Sequence, residues 1–96
     1  MNVTICTIGE LLVEFLAKEE NQGFSRPGEF WGPYPSGAPA IFADQVAKLG
    51  FGSVLFSCVG NDAFGEMNIA RLEKDGVNVK GIAMLQKATT GSAFVS

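Results

Sequence analysis

Between Pro39 and Leu85 the chain switches repeatedly between two periodicities, and that alternation limits the folds open to it. Pro39 opens a helical pattern in which Phe42, Val46 and Leu49 fall at i, i+4 and i+7, with Ala43 and Ala47 allowing close packing beside them. Proline suits a first helical turn, where its missing N–H costs nothing. Gly50 stands where a left-handed residue ends a helix. Ser53 to Val59 is then an apolar run of strand length. Gly60-Asn61-Asp62 makes a turn, and Asp62 is a good N-cap for a second helix through Lys74. Phe64, Met67, Ala70 and Leu72 form its apolar stripe, Gly76 closes it, and Val77 to Leu85 returns to strand. This order is that of an α/β fold with a parallel sheet, flanking helices and right-handed crossovers.

The N-terminal third reads differently. Val3 to Phe15 is apolar on both faces and suits one sheet-interior strand, with Gly9 permitting a bulge. From Lys18 to Ser36, glycines and prolines punctuate a stretch holding Phe24, Phe30, Trp31 and Tyr34. Aromatic residues between turn-formers predict a surface hairpin or flap, which needs something to cover. Cys6 and Cys58 each sit inside an apolar run and read as reduced, buried thiols, neither a disulfide framework nor a zinc site. The chain ends at Ser96 just after the apolar Ala93-Phe94-Val95, which suggests a truncated chain or a partner that completes the sheet.

Composition excludes several functions. With 47% hydrophobic and 18% charged residues the chain is too apolar for disorder. No apolar run approaches the ~20 residues that span a bilayer, and no signal peptide is seen, so a cytoplasmic protein without membrane contact is expected. Seven Lys and Arg with a net charge of −3 offer no basic patch for nucleic acid. The absence of His removes the commonest general base and metal ligand, and no metal site is expected.

Motif tests narrow the chemistry. Gly50-Phe51-Gly52 precedes its strand, and Leu55 takes the third glycine position of a dinucleotide fingerprint. Gly60 and Gly65 have P-loop spacing, but Glu66 and Met67 follow where Lys and Ser or Thr are required. Glu10 and Glu14 would share one face of a strand. Glu14, between Val13 and Phe15, reads either as a solvated strand end or as a carboxylate at the end of a sheet strand, where open α/β sheets bind ligands.

Four segments together resemble the N-terminal part of the ribokinase-like, phosphofructokinase-B-type carbohydrate kinases. They are Ile8-Gly9-Glu10-Leu11-Leu12-Val13-Glu14, then Ser36-Gly37-Ala38-Pro39-Ala40 with Ala47-Lys48-Leu49-Gly50, then Val59-Gly60-Asn61-Asp62-Ala63-Phe64-Gly65, and Thr89-Thr90-Gly91-Ser92-Ala93-Phe94-Val95. The resemblance implies a partial Rossmann-like ribokinase fold over residues 1–96, with a β-hairpin lid from segments near 18–36 and 80–92. In the family such lids often pair with a second subunit's. Phe24, Phe30, Trp31 and Tyr34 would then shield the sugar from water. Glu14 matches the acidic position that binds sugar hydroxyls, and Gly37 and Ala38 match positions where the backbone approaches the sugar. Gly60, Asp62 and Gly65 read as structural, with Asp62 the N-cap.

Two departures bear on substrate. Ile41 stands where the family commonly has Asn, and Leu12 stands where its ribose-phosphorylating namesake has Asn. A site built to bond a hydroxyl loses strongly without its partner group, so a ketohexose or a sugar acid is expected in place of ribose. The resemblance implies ATP and Mg2+ as cofactors of a complete enzyme. Its catalytic base and ATP site would belong to the C-terminal part, so this chain alone should bind neither and be inactive. A non-catalytic sugar-binding or assembly module, and a nucleoside kinase on the same scaffold, remain as alternatives.

Overall fold

The periodicity of the central segment carries through into three dimensions, while the N-terminal third folds otherwise than its apolar run suggests. In the computed structural model, which describes residues 3–96, the elements are β1 (Thr4–Ile8), β2 (Leu12–Ala17), β3 (Phe30–Ser36), α1 (Ala38–Lys48), β4 (Gly52–Gly60), α2 (Ala63–Lys74), β5 (Ile82–Leu85) and β6 (Gly91–Val95). They form two three-stranded sheets. The first, in the order β1-β4-β5, is parallel throughout. The second has the order β3-β2-β6, with β3 antiparallel and β6 parallel to β2.

The expected single strand over Val3 to Phe15 is therefore two strands in two sheets. Gly9 N–H still bonds the Phe56 carbonyl at 3.1 Å, and the chain then leaves the first sheet. A side chain at Gly9 would run into the Pro39 ring, so this glycine lets the crossing segment pass under the start of α1. Leu11 turns into the core and Leu12 begins the second sheet. Glu10 consequently lies in the link between strands and does not share a strand face with Glu14. The stretch expected near 80–92 divides between the sheets: residues 82–85 pair with β4 in the first, whereas β6, which begins at Gly91, runs beside β2 in the second, as β3 of the 18–36 stretch does.

Leu11, Ala40, Ala43, Leu55, Val59, Leu72 and Val77 make the core, between the inner face of the first sheet and both helices. Helix α1 contributes Ala40, Ala43 and Val46. The expected stripe was shifted: Phe42 and Leu49 are exposed, because close approach to the sheet selects the alanine side of the helix. In α2 the buried positions are Gly65, Asn68 and Leu72, while Phe64 and Met67 are half-buried and Ala70 exposed. Asn68 could not be read as core from its polarity. Its amide donates to the carbonyls of Leu12, at 3.3 Å, and Phe64, at 3.1 Å, and so ties α2 to the start of β2. Gly50 and Gly76 follow the two helices with φ of 93° and 99°, the left-handed conformation expected of them.

A charge cluster joins the helices. Lys48 Nζ lies 3.5 Å from Asp44 and 3.6 Å from Asp75, and Arg71 Nε donates to Asp75 at 3.0 Å. Burial, followed by the nearby Asp75 carboxyl, raises the pKa of Asp44, whereas the Arg71 hydrogen bond leads in lowering that of Asp75.

Among the described residues no helix covers the outer face of the first sheet. Cys6, Ile8, Phe56, Cys58 and Leu85 are all exposed there, Ile8 to 82%. The expectation of buried cysteines fails because strand residues alternate between faces, and both thiols fall on the bare one. The molecule is extended, 52 × 31 × 19 Å, with a radius of gyration of 14.7 Å, against about 12.5 Å for a compact chain of this length. Replacing Leu55 with Ala should cost about 2–5 kcal/mol in denaturant unfolding, while Ile8→Thr should change stability by under ~0.5 kcal/mol. A large loss from Ile8→Thr would mean that the outer face is covered in solution.

Candidate functional site

Antiparallel pairing sets Leu12 opposite Ser36 and Glu14 opposite Tyr34. Directly paired residues share a sheet face, so Leu12, Glu14, Tyr34 and Ser36 stand together on one side. Between Glu14 and Leu16 the register shifts, three steps along β3 answering two along β2, and this brings Trp31 opposite Leu16 on the same side. Trp31 and Tyr34 are exposed, and Ser36 is buried. The Ser36 hydroxyl donates to Glu14 Oε2 at 2.8 Å. Pro33 and Pro35 sit in β3, an edge strand, where a missing N–H breaks no ladder.

The other two flap aromatics lie elsewhere. Phe30 pairs with Ala17 and faces away from Glu14. There Phe15 and Phe94 stack at 4.8 Å, Phe30 meets Phe94 edge-on at 5.4 Å, and Phe24 stacks on Phe30 at 6.3 Å. Phe15 also meets Phe64 of α2 edge-on at 5.9 Å. One face of the second sheet thus holds Glu14, Trp31 and Tyr34, and the other is an aromatic ladder that leads to α2.

Gly37 follows Ser36 and turns the chain into α1. Its φ is 104°, and an added Cβ would lie 2.7 Å from the Glu10 carbonyl oxygen, so any other residue there is excluded twice. Ala38 begins α1 and Pro39 follows in its first turn. Ile41, one turn in, lines a cavity of about 90 Å³ with Ser36, Asp44, Asn68, Arg71 and Leu72.

The Gly60-to-Gly65 turn is built around Thr90. Gly65 N–H donates to Asp62 Oδ1 at 2.8 Å, the N-cap bond expected from the sequence. The Thr90 N–H donates to Asp62 Oδ2 at 2.8 Å, its hydroxyl donates to Oδ1 at 2.6 Å, and Gly60 N–H donates to the Thr90 Oγ1 at 3.0 Å. A Cβ on Gly60 would lie 2.7 Å from both Asp62 Oδ2 and Thr90 N. The motif therefore needs glycine for space. Thr90, buried, was legible only as the start of a strand, because its partner lies 28 residues away. The turn does not fit a nucleotide phosphate: its Gly65 N–H is already taken by Asp62 and its Gly60 N–H by Thr90, and Glu66 stands in the first helical turn. Among the described residues there is no cluster of three metal-ligating side chains.

The Thr90 hydroxyl, then the Thr90 and Gly65 N–H groups, hold the Asp62 carboxyl below the ordinary aspartate value of 3.8. A group lowered on folding stabilises above its unfolded pKa, and that contribution is lost as pH falls through the folded one. Asp62→Asn should therefore flatten the loss of thermal stability between about pH 5 and pH 2. Thr90→Val should cost about 1–3 kcal/mol at neutral pH, from the Gly60 N–H left without its acceptor. An unchanged acid arm in Asp62→Asn would contradict the hydrogen bonding described.

Comparison with known proteins places these features in context. The profile of the pfkB family carbohydrate kinase matches residues 3–96. The uncharacterized sugar kinase PH1459 of Pyrococcus horikoshii is 43% identical over 91 residues, covering 95% of this chain and 29% of its own length. Fructokinase-2 of Oryza sativa subsp. japonica is 35% identical over 92 residues, covering 96% of this chain and 27% of its own. Among solved structures, the E. coli protein named "putative Ribokinase II" superposes with a TM-score of 0.92 at 56% identity, covering 95% of this chain and 29% of that one in its apo form. It has also been solved in complex with ATP and Mg2+. The chain thus spans under a third of the length of the relatives it matches. The expected fold, a partial ribokinase-like α/β architecture with a β-hairpin, is the one observed.

Proposed function

The chain belongs to the pfkB family of carbohydrate kinases, and on that premise we propose that it is the sugar-binding and lid portion of a cytoplasmic, ATP-dependent sugar kinase. The observation that carries this reading is the face shared by Glu14, Tyr34 and Trp31, with the carboxylate held by Ser36. An ionised carboxylate accepts hydrogen bonds from sugar hydroxyls, each worth about 1.5–3 kcal/mol. The two exposed aromatics supply apolar surface that packs on a sugar ring and keeps water from it. Gly37 and Ala38 let the backbone come near the same ligand. Phe24 and Phe30 support the lid from its other face.

The reaction of the complete enzyme is phosphoryl transfer from ATP to a sugar hydroxyl. Mg2+ bound with ATP neutralises charge that builds up on the transferred group. The base and the nucleotide site lie outside this chain, which alone is inactive. Leu12 and Ile41 present hydrocarbon where an amide would recognise ribose, and relatives named fructokinase agree with a ketohexose. A sugar acid is the alternative acceptor. The edges of the second sheet, β3 and β6, suit a lid that pairs with a second subunit.

In the full-length protein supplied with ATP and Mg2+, fructose or a related ketohexose should exceed ribose in kcat/KM by at least about tenfold, and Glu14→Ala should lower kcat/KM by about 10–100-fold. The 96-residue chain should show no turnover above background. A clear preference for ribose would overturn the substrate assignment, and an unaffected Glu14→Ala variant would overturn the site.

A further inference from the structure

The hydrogen bond between Ser36 and Glu14 has a geometry that assigns Ser36 a task of its own. Ser36 is not the residue directly opposite Glu14, a place taken by Tyr34, but its diagonal neighbour on the same face. It is only 8% exposed, and the glycine that follows it is pinned against the Glu10 carbonyl. The hydroxyl is thus mounted on backbone with little room to move. Glutamate has three rotatable side-chain bonds, and an unsupported one would sample many positions over the sheet. Ser36 holds Oε2 at 2.8 Å, whereas among the described residues Oε1 accepts no protein hydrogen bond.

We propose that Ser36 is a positioning residue for substrate selection: it engages one oxygen of Glu14 so that the other meets the sugar hydroxyls in a fixed place. The proposal rests on the reading of Glu14 as the sugar-binding carboxylate. Ser36 acts only through Glu14 and touches neither ATP nor the transferred phosphoryl group. Its removal therefore weakens sugar binding equally in the ground and transition states, raising KM and leaving kcat in place. A threonine keeps the hydroxyl and restores the contact.

The test is a double-mutant cycle in the full-length protein, with sugar KM and kcat measured for Ser36→Ala, Ser36→Thr, Glu14→Ala and the Ser36→Ala/Glu14→Ala pair. Ser36→Ala should raise KM about tenfold at unchanged kcat, and Ser36→Thr should stay within about threefold of the parent. In the Glu14→Ala background, Ser36→Ala should have no further effect. A similar penalty in both backgrounds would show that Ser36 is merely structural and overturn the proposal, as would an unaltered KM for Ser36→Ala. If Glu14→Ala leaves KM unchanged, the site reading itself fails. Thermal unfolding separates these outcomes from loss of the fold, and Ser36→Thr serves as the probe should Ser36→Ala fail to fold: a KM raised as far as that of Glu14→Ala would count against the proposal.

Discussion

The arrangement of both sheets depends on the carboxylate of Asp62 and the residue it grips, Thr90. Asp62 ends the turn after β4 and caps α2, so it belongs to the first sheet's crossover. Thr90 immediately precedes β6, a strand of the second sheet. Two hydrogen bonds between them, at 2.8 and 2.6 Å, and a third from the Gly60 N–H to the Thr90 Oγ1 at 3.0 Å, fix where β6 begins. That in turn sets its register on β2, where Glu14 pairs with Ala93. Glycine at positions 60 and 65 is what allows backbone and Thr90 to come this close. A turn that looks like a nucleotide loop is thereby spent on internal architecture.

The second sheet divides its labour by face. Phe15, Phe94 and Phe30 join it to α2 through Phe64. The opposite face carries the carboxylate, its serine support and two exposed aromatics. Alternation along a strand makes such a division inexpensive, since neighbouring residues serve opposite sides without extra chain. The register shift in β3 is what returns Trp31 to the side of Glu14.

Much of this was legible from one-dimensional pattern. Both helices, the Asp62 cap and the glycines that end the helices rest on local rules, and the structure has them at the expected residues. Local rules do not reach the rest. The split of Val3 to Phe15 depends on Pro39 lying against Gly9, a contact between residues 30 positions apart in the sequence. The side of α1 that is buried depends on how near the sheet comes, which selected Ala40 and Ala43 over the larger Phe42. The flap aromatics looked equivalent because a register shift leaves no compositional mark. Ser36 could be seen as part of a glycine-rich entry but not as the partner of a glutamate two strand positions away on the next strand. Each miss turns on a contact between segments distant in the chain, which local periodicity does not carry.

The bare outer face of the first sheet has a thermodynamic consequence. Ile8, Phe56 and Leu85 hold apolar surface in water there, and its removal from water is favourable by roughly 25 cal/mol per Å². Whatever binds that face in the folded chain and not in the unfolded one shifts the unfolding equilibrium by mass action. The midpoint of unfolding is then a joint property of the chain and its surroundings. It moves with any detergent or segment that covers this face, even though no residue of the Asp62–Thr90 junction is touched.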